Sequence, residues 1–480
     1  MALALLGFNL LTAAWWPVPW TDEALFLDPA ANWLFHGHFT SSVWQTQPYG
    51  EFWISNAPAY SLLLAGWLQV FGFSLLASRS LNMVLQALLV WILLDWAHRR
   101  LNFRPWQLVL LGLLLAWPNS AAFMARSGRY DMLACLIATL MVLCLVEGKA
   151  ARGAVVAAGF VMPWVCLPAL AFTTFATLLV GSKSVRWVRL ALHLGSAIAG
   201  FLALYFFADW KVGGERFLSI LHSLWLSPVD AAPHRGILIL DNLLGLGADR
   251  FWLAMVPLVG AYLVWQRKKI SPWKEMNPSL RSWLGSGLLA AAACVLVYKM
   301  NILYWWMVGV PLALAFLSSL RGPIDASRLL LPPVVFFLVL LGLPTRILLG
   351  ASQVAQVEEN REIIQKALSV IDPNAKSPAV FAGWPFYYEV KKHKIVVIGA
   401  KFIGEGVGSD LHPELMILSQ GQPAPAEIPS NSQVAKSDIL PDFFEKLIPV
   451  VSLLAERVLG PTGKFPPTEI FSTNANKRQP

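Results

Sequence analysis

Trp15-Trp16-Pro17-Val18-Pro19-Trp20-Thr21-Asp22-Glu23 is the stretch on which the reading of this chain turns. Met1–Trp16 ahead of it is apolar and reads as a short first membrane span. Two adjacent carboxylates then follow, where a chain leaving a bilayer meets water. A charge at the bilayer centre costs about 2.5–3.5 kcal/mol, and less at the interface. Thr21 as an N-cap with acids in the first helical turn would explain the residue types by capping and dipole alone. The rest of the chain decides between capping and chemistry.

Of the 480 residues, 56% are hydrophobic and 14% charged, with mean hydropathy +0.57. A soluble domain carries about 25% charged residues. The deficit, with 22 Trp and 27 Phe, points to a polytopic α-helical membrane protein. The net charge of +9 sits in the membrane part: residues 1–350 hold 24 Lys/Arg against 14 Asp/Glu, and residues 351–480 hold 13 against 14. Basic residues in short loops are what the positive-inside rule produces, and nucleic acid is not an expected partner. Cys135, Cys144, Cys166 and Cys294 lie in apolar runs without CxxC spacing, as small buried hydrophobes do. No Lys or Arg precedes Arg79, so the basic n-region of a secretory signal is missing.

Residues 20–57 form a polar-aromatic loop with acids Asp22, Glu23, Asp28 and Glu51 and no base, which places it on the outer side. Within it Glu23–Phe35 has helical apolar spacing and Gly37 ends it. A helix opened by Pro58 and running to about Phe73 is expected to lie along the membrane surface. Leu81–Ala97, ending in His98-Arg99-Arg100, then runs inward. Leu108–Trp117 returns outward to a loop with Arg126, Arg129 and Asp131, and Met132–Val146 comes back in. Residues 154–181, with Pro163 and Pro168, are two short spans or a re-entrant hairpin. Leu190–Phe207, Phe251–Trp265, Leu284–Val297, Tyr304–Leu320 and Leu329–Leu349 complete about eleven spans. The inner loops so assigned hold 15 Lys/Arg against Glu147, Glu275 and Asp325.

The expected organisation is therefore a membrane module over 1–350, its first outer loop about 20–78, and an outer-face soluble α/β domain over 351–480. In that domain Val357–Ile371 and Phe443–Leu459 are predicted helices. Ala379–Ala382, Phe386–Val390 and Lys394–Ile398 are predicted strands, and the last dozen residues are expected to be disordered.

Two outer loops present opposite charges. A guanidinium binds phosphate bidentately and a carboxylate can take a proton from an acceptor, so Asp22, Glu23, Arg126, Arg129 and Asp131 suit displacement of a phosphate leaving group. Snorkelling or structural ion pairing is the plainer role for the arginines. His36 and His38 could ligate metal, although histidines in the turn around Gly37 fit better. Trp15-Trp16, Trp305-Trp306 and Tyr387-Tyr388 could stack on sugar rings; interface belts suit the first two pairs. No GxxxxGK[ST], HExxH or GxSxG motif occurs, which removes the simplest support for ATP-driven transport or hydrolysis.

These pieces resemble the GT-C-type membrane glycosyltransferases that use polyprenyl-phosphate sugars, particularly glycosyltransferase family 39. That group includes protein O-mannosyltransferases, lipid A aminoarabinose transferases and bacterial lipopolysaccharide sugar transferases. The similarity lies in Thr21-Asp22-Glu23-Ala24, Asn32-Trp33-Leu34-Phe35-His36-Gly37-His38-Phe39, Asn56-Ala57-Pro58-Ala59-Tyr60 and Ala77-Ser78-Arg79-Ser80-Leu81. It extends to Ala125-Arg126-Ser127-Gly128-Arg129-Tyr130-Asp131-Met132 and, more weakly, to Tyr298-Lys299 with Tyr304 and Pro311.

The resemblance implies an outer-face cavity in which Asp22 is general base of an inverting displacement, Glu23 supports it, and Asp131 positions acceptor or metal. Arg79, Arg126, Arg129 and Lys299, with Tyr304 and Asn56, would be substrate-binding residues. The partners would be a polyprenyl-phosphate-linked sugar donor, the lipid bilayer, and a lipid, glycan or protein acceptor, in a bacterial inner membrane with a periplasmic site. Asn56-Ala57-Pro58 stands where lipid A transferases have a lysine before a proline pair, which argues against that sub-family's substrate. No cofactor is assigned; a divalent cation (Mg2+, Mn2+ or Zn2+) on Asp22 and Asp131 is compatible with the carboxylates.

The competing readings are a transporter or flippase of lipid-linked sugars, a polyprenyl-linked glycan ligase, and a membrane scaffold presenting the C-terminal domain. A transporter needs midplane charges and internal repeats, and the chain shows neither.

Overall fold

A computed structural model describes residues 1–43, 47, 49–55, 58–181, 185–222, 251–252, 254–255, 257, 277–297, 302–320, 324–351, 354–369, 379–398, 415–419, 433–436 and 468–472. The chain forms two compact units. The first comprises Met1–Leu10, Asn56–Tyr60 and Asn82–Thr345; the second comprises Leu11–Ser55, Ser61–Leu81 and Arg346–Pro480. Residues 11–55 and 61–81 thus share a unit with residues 346–480.

The chain begins with α1 (Ala2–Leu11), α2 (Thr21–His36), α3 (Pro58–Phe71) and α4 (Leu75–Leu101). The first unit continues with α5 (Pro105–Ala116), α6 (Asn119–Arg126), α7 (Asp131–Glu147), α8 (Ala151–Val165), α9 (Leu167–Leu179), α10 (Arg186–Val212) and α11 (Gly214–Leu221). Past the segment outside the described residues come α12 (Pro278–Val297), α13 (Trp306–Ser319), α14 (Ile324–Leu340) and α15 (Leu343–Ala351).

Among the described residues four stretches of helix are long and apolar enough to cross a membrane: Leu75–Leu101, Arg186–Val212, Pro278–Leu296 and Leu331–Leu348, or five when the bent pair α5–α6 is counted as one span. The sequence suggests about eleven spans. The difference has a physical reason. Ala2–Leu11, Pro58–Phe71, Ala151–Val165, Leu167–Leu179 and Trp306–Ser319 are apolar but short, below the ~20 residues a full crossing needs. The expected Phe251–Trp265 span falls largely outside the described residues.

At ~1.5 Å per residue, the 27 residues of α10 exceed a hydrocarbon core of about 30 Å. Its outward face carries Trp187, Ile198, Phe206 and Trp210, all largely exposed, which only a lipid environment would favour. Its buried face carries His193. The Nδ1 of His193 lies 2.9 Å from the Val155 carbonyl and Nε2 lies 3.0 Å from Thr173 Oγ1. A carbonyl can only accept, so Nδ1 donates and Nε2 is the acceptor. The polar ring is thereby satisfied within the helix bundle, where an unpaired polar group is costly.

Helices α8 and α10 pack closely because glycine lets their backbones meet. A Cβ at Gly200 would lie 2.1 Å from the Phe160 carbonyl oxygen, and Trp164 Nε1 donates to the Gly200 carbonyl at 2.8 Å. Small residues at helix contacts serve this purpose in membranes. Gly200→Ala is therefore expected to cost about 1–3 kcal/mol through overpacking, measured as a lower thermal midpoint in detergent. Gly195→Ala, on the same helix with open space around the new methyl, should leave the midpoint unchanged or slightly raised.

Residues 119–126, expected as a loop, are helical. Pro118 precedes α6, which meets α5 at 63°, and the Trp117 carbonyl at the bend accepts from the Leu343 N–H at 3.0 Å. The bend replaces a straight exit by a turn that carries Arg126 into a buried position. Residues 154–181 form two short helices, α8 and α9, parted at Cys166 ahead of Pro168. The expected Leu329–Leu349 span coincides with the candidate span Leu331–Leu348, in which a two-residue bend parts α14 from α15. Cys135, Cys144, Cys166 and Cys294 are free thiols, three of them buried.

The second unit holds α2, α16 (Val354–Leu368) and a five-stranded sheet. Its strands are β1 (Ala379–Ala382), β2 (Val396–Ile398), β3 (Leu415–Ser419), β4 (Gln433–Lys436) and β5 (Thr468–Ser472), in the order β2-β1-β3-β5-β4. β1 runs parallel to β2 and β3; β5 runs antiparallel to β3 and β4. Phe386–Val390, expected as a strand, instead lies in a 3-10 turn and the short helix α17 (Tyr387–Lys391), which crosses from β1 to β2. Such a crossover is what parallel pairing requires. The predicted helix Phe443–Leu459 and the last dozen residues, expected to be disordered, lie outside the described residues apart from Glu469, Ile470, Phe471 and Ser472, which belong to β5.

Candidate active site

Helix α2 carries the acid pair. Thr21 is its first helical residue rather than its cap: the N-cap is Trp20, which makes no side-chain capping bond. Asp22 and Glu23 occupy the first turn, where the helix dipole favours negative charge. Gly37 closes α2 in the left-handed region, at φ 73°, and its N–H donates to the Trp33 carbonyl at 3.0 Å. Adjacent residues on a helix point about 100° apart, so Asp22 and Glu23 meet different surroundings.

Glu23 is fully buried. Arg79 grips it bidentately, with Nε on Oε1 at 2.7 Å and Nη2 on Oε2 at 2.7 Å, while Nη1 donates to the Ala13 carbonyl at 2.7 Å. Tyr388 adds a hydroxyl donor to Oε1 at 3.0 Å, and the Ser78 hydroxyl lies 2.7 Å from the same phenol oxygen. Every nitrogen of this guanidinium is engaged within the protein. Arg79, expected on a donor phosphate, is placed here as the counter-ion of Glu23. Asp22 is half-buried.

A second buried cluster lies one and a half turns along α2. Asp28 Oδ1 accepts from Tyr387 at 2.7 Å and pairs with Lys391 Nζ at 3.1 Å. Its Oδ2 accepts from the Ser42 N–H at 2.8 Å, Ser41 Oγ at 3.0 Å and Asn32 Nδ2 at 3.2 Å. Lys391 also donates to Asn32 Oδ1. A lysine is almost never this buried without a partner, and here the carboxylate supplies it. Burial, reinforced by the Asp28 carboxylate, holds the Tyr387 phenol well above its ordinary pKa. Burial and then the Lys391 charge lower the pKa of His36.

The other carboxylate lies in the first unit. Asn82 Nδ2 reaches the carbonyls of Ser127 and Arg129, both at 2.6 Å, and so shapes the turn before α7. Asp131 Oδ2 is 2.8 Å from Arg129 Nε. Arg129 Nη2 donates to the Tyr130 hydroxyl at 3.0 Å, which lies 3.3 Å from the Tyr304 hydroxyl. Arg126 Nη1 donates to Asn9 Oδ1 at 3.1 Å, and Asn9 donates to Gln86 at 2.9 Å. Burial pushes the Tyr130 phenol far up, with Arg129 pulling the other way; it remains a neutral hydroxyl.

The structure thus joins Arg79 to Glu23, and joins Arg129 and Asp131 to Tyr304 through Tyr130. Asn56 and Lys299 lie outside the described residues. Among the described residues no group of three or more His, Cys, Asp or Glu could hold a metal ion.

No protein-family model matches the chain, and no curated protein does. Among solved structures it is similar to ArnT from Cupriavidus metallidurans bound to undecaprenyl phosphate: 14% identity and TM-score 0.52, over 100% of this chain and 98% of that one. The fold is of the GT-C glycosyltransferase type. Two structures of the Archaeoglobus fulgidus oligosaccharyltransferase also match at 12% identity, over 87% of this chain and 69% of theirs. The apo form has TM-score 0.40; AglB in complex with an inhibitory peptide and a dolichol-phosphate has 0.41.

Within this GT-C fold, sequence reasoning missed the residues that hold the acid helix. Tyr387 and Tyr388, which by sequence could stack on sugar rings, are both buried, with their hydroxyls on carboxylates. Lys391, Ser41 and Ser42 were not singled out. One signal was available: Tyr387 and Lys391 stand four apart, on one face of a helix.

Proposed function

We propose that this protein is an integral-membrane glycosyltransferase that moves a sugar from a polyprenyl-phosphate carrier to an acceptor, with Asp22 as general base. The observation that carries this reading is the division of labour within the acid pair. Glu23 is buried and spent on Arg79 and Tyr388. Asp22 starts the same helix half-buried, as a base that must meet substrate would be. The fold supports the same class, since its solved relative ArnT binds undecaprenyl phosphate.

In the proposed reaction the Asp22 carboxylate takes the proton from an acceptor hydroxyl. The acceptor oxygen attacks the anomeric carbon opposite the carrier, a new C–O bond forms, and the polyprenyl phosphate leaves with the electron pair of the broken bond. Inversion follows from the single displacement. A positioned base contributes about 10²–10⁴-fold. Phosphate recognition is assigned by residue chemistry to Arg126, Arg129 and Lys299. Arg79 is reassigned from that set to holding Glu23. The reaction is proposed for the periplasmic face of a bacterial inner membrane.

The test is incubation of purified protein with a panel of radiolabelled polyprenyl-phosphate sugars and membrane extract. The expected result is transfer of one sugar with release of the unsubstituted carrier phosphate. Movement of intact lipid-linked sugar across proteoliposomes without cleavage would replace this reading by a flippase. A panel in which no donor is consumed would remove its support.

A further inference from the structure

Helix α17 reaches α2 at two separate points. Tyr388 bonds Glu23, and Tyr387 with Lys391 bonds Asp28, five residues further along. One contact would leave a helix free to roll about its axis; two contacts at different heights fix both roll and translation. Glu23 and Asp28 each have other partners. Arg79 comes from α4, and Ser41 and Ser42 from the chain just after α2, so among the described residues α17 is the element that bonds to both acids.

The Tyr388 hydroxyl donates to Glu23. Tyr388 has one hydroxyl hydrogen and two oxygen neighbours, Glu23 Oε1 at 3.0 Å and Ser78 Oγ at 2.7 Å. The carboxylate is the stronger acceptor, so the phenol donates to Glu23. Ser78 can turn its own hydrogen toward the phenol oxygen or toward the Leu75 carbonyl, 2.9 Å away. Burial, then the Glu23 charge, hold the Tyr388 phenol well above its ordinary pKa, so it remains a donor at physiological pH. The ring is itself fixed against Phe73, with centroids 5.8 Å apart.

We infer that Tyr388 is a positioning residue for the reaction at Asp22: by orienting Glu23 it sets the first turn of α2, and through it the C-terminal segment sets the bearing of the catalytic base. This rests on the glycosyltransferase reading above. Nothing in α17 needs to touch substrate. A misplacement of a catalytic group by about 1 Å can cost up to about 10²-fold, so loss of one orienting bond can be felt in turnover while the fold survives.

The test is Tyr388→Phe in the full-length protein, which keeps the ring and removes the hydroxyl. Three quantities are read well below the melting temperature: kcat, KM for the donor, and amide hydrogen exchange of the peptide covering residues 21–26. The expected result is a fall in kcat of about tenfold, a donor KM within about twofold, and faster exchange in that peptide alone. Unchanged exchange would overturn the inference, and so would a kcat within twofold of wild type beside an inactive Asp22→Asn. A fully active Asp22→Asn would instead count against Asp22 as the base, consumption of no donor by wild type would count against the glycosyltransferase reading, and the exchange result would still decide whether Tyr388 holds the turn.

Discussion

Arg79→Met is expected to destabilise the protein by about 3–5 kcal/mol, the usual cost of removing one partner of a buried ion pair. Arg79 and Glu23 both have side chains with 0% exposure, so the carboxylate would keep its burial and lose two charge-assisted bonds at 2.7 Å. The Ala13 carbonyl would lose its donor as well. Tyr388 alone cannot compensate a charge in that setting. The expected readout is a marked fall in the thermal midpoint of detergent-purified protein.

The double variant Arg79→Met with Glu23→Leu separates this account from generic damage. Replacing both members of a buried pair by apolar groups is often neutral or stabilising, so the double variant should recover most of the lost stability. It should not recover turnover, because the Tyr388 anchor has lost its acceptor. A double variant as unstable as Arg79→Met alone would show that the pair is not the source of the effect.

Much of the membrane architecture is legible in the sequence because its causes are local. The apolar runs of α4 and α10, the basic cluster His98-Arg99-Arg100 and the glycine stop at Gly37 all announce themselves within a few residues. The proline-marked pair α8 and α9 was readable for the same reason.

What was not legible depends on distant partners. Phe386-Tyr387-Tyr388-Glu389-Val390 has the aromatic and β-branched content of a strand, yet Tyr387 and Lys391 need helical spacing to reach Asp28, and Tyr388 reaches Glu23 from 365 positions away. Likewise Arg79 reads as a phosphate ligand until its three nitrogens are seen to be taken. Asn119–Arg126 is an eight-residue helix, too short for periodicity to separate from a loop. The strands β3, β4 and β5 are four or five residues each and carry little local signal.

Asp22→Asn carries the largest expected effect on activity. Asparagine is nearly isosteric with aspartate and is tolerated at the start of a helix, so α2 should form unchanged. Glu23, Arg79 and Tyr388 keep their partners, because none of the bonds that hold Glu23 involves Asp22. In the proposed reaction this removes the group that accepts the proton from the acceptor. Loss of a general base costs about 10²–10⁴-fold in turnover, which in a radiochemical assay reads as abolished transfer. Donor affinity should persist, since the groups proposed to bind the carrier phosphate are cationic residues other than Asp22.

The most direct measurement is therefore transfer of labelled sugar by Asp22→Asn beside wild type, with the thermal midpoint and donor binding recorded on the same preparations. The account predicts no detectable transfer, an unchanged midpoint and retained donor binding. Wild-type transfer by a correctly folded Asp22→Asn protein would contradict it.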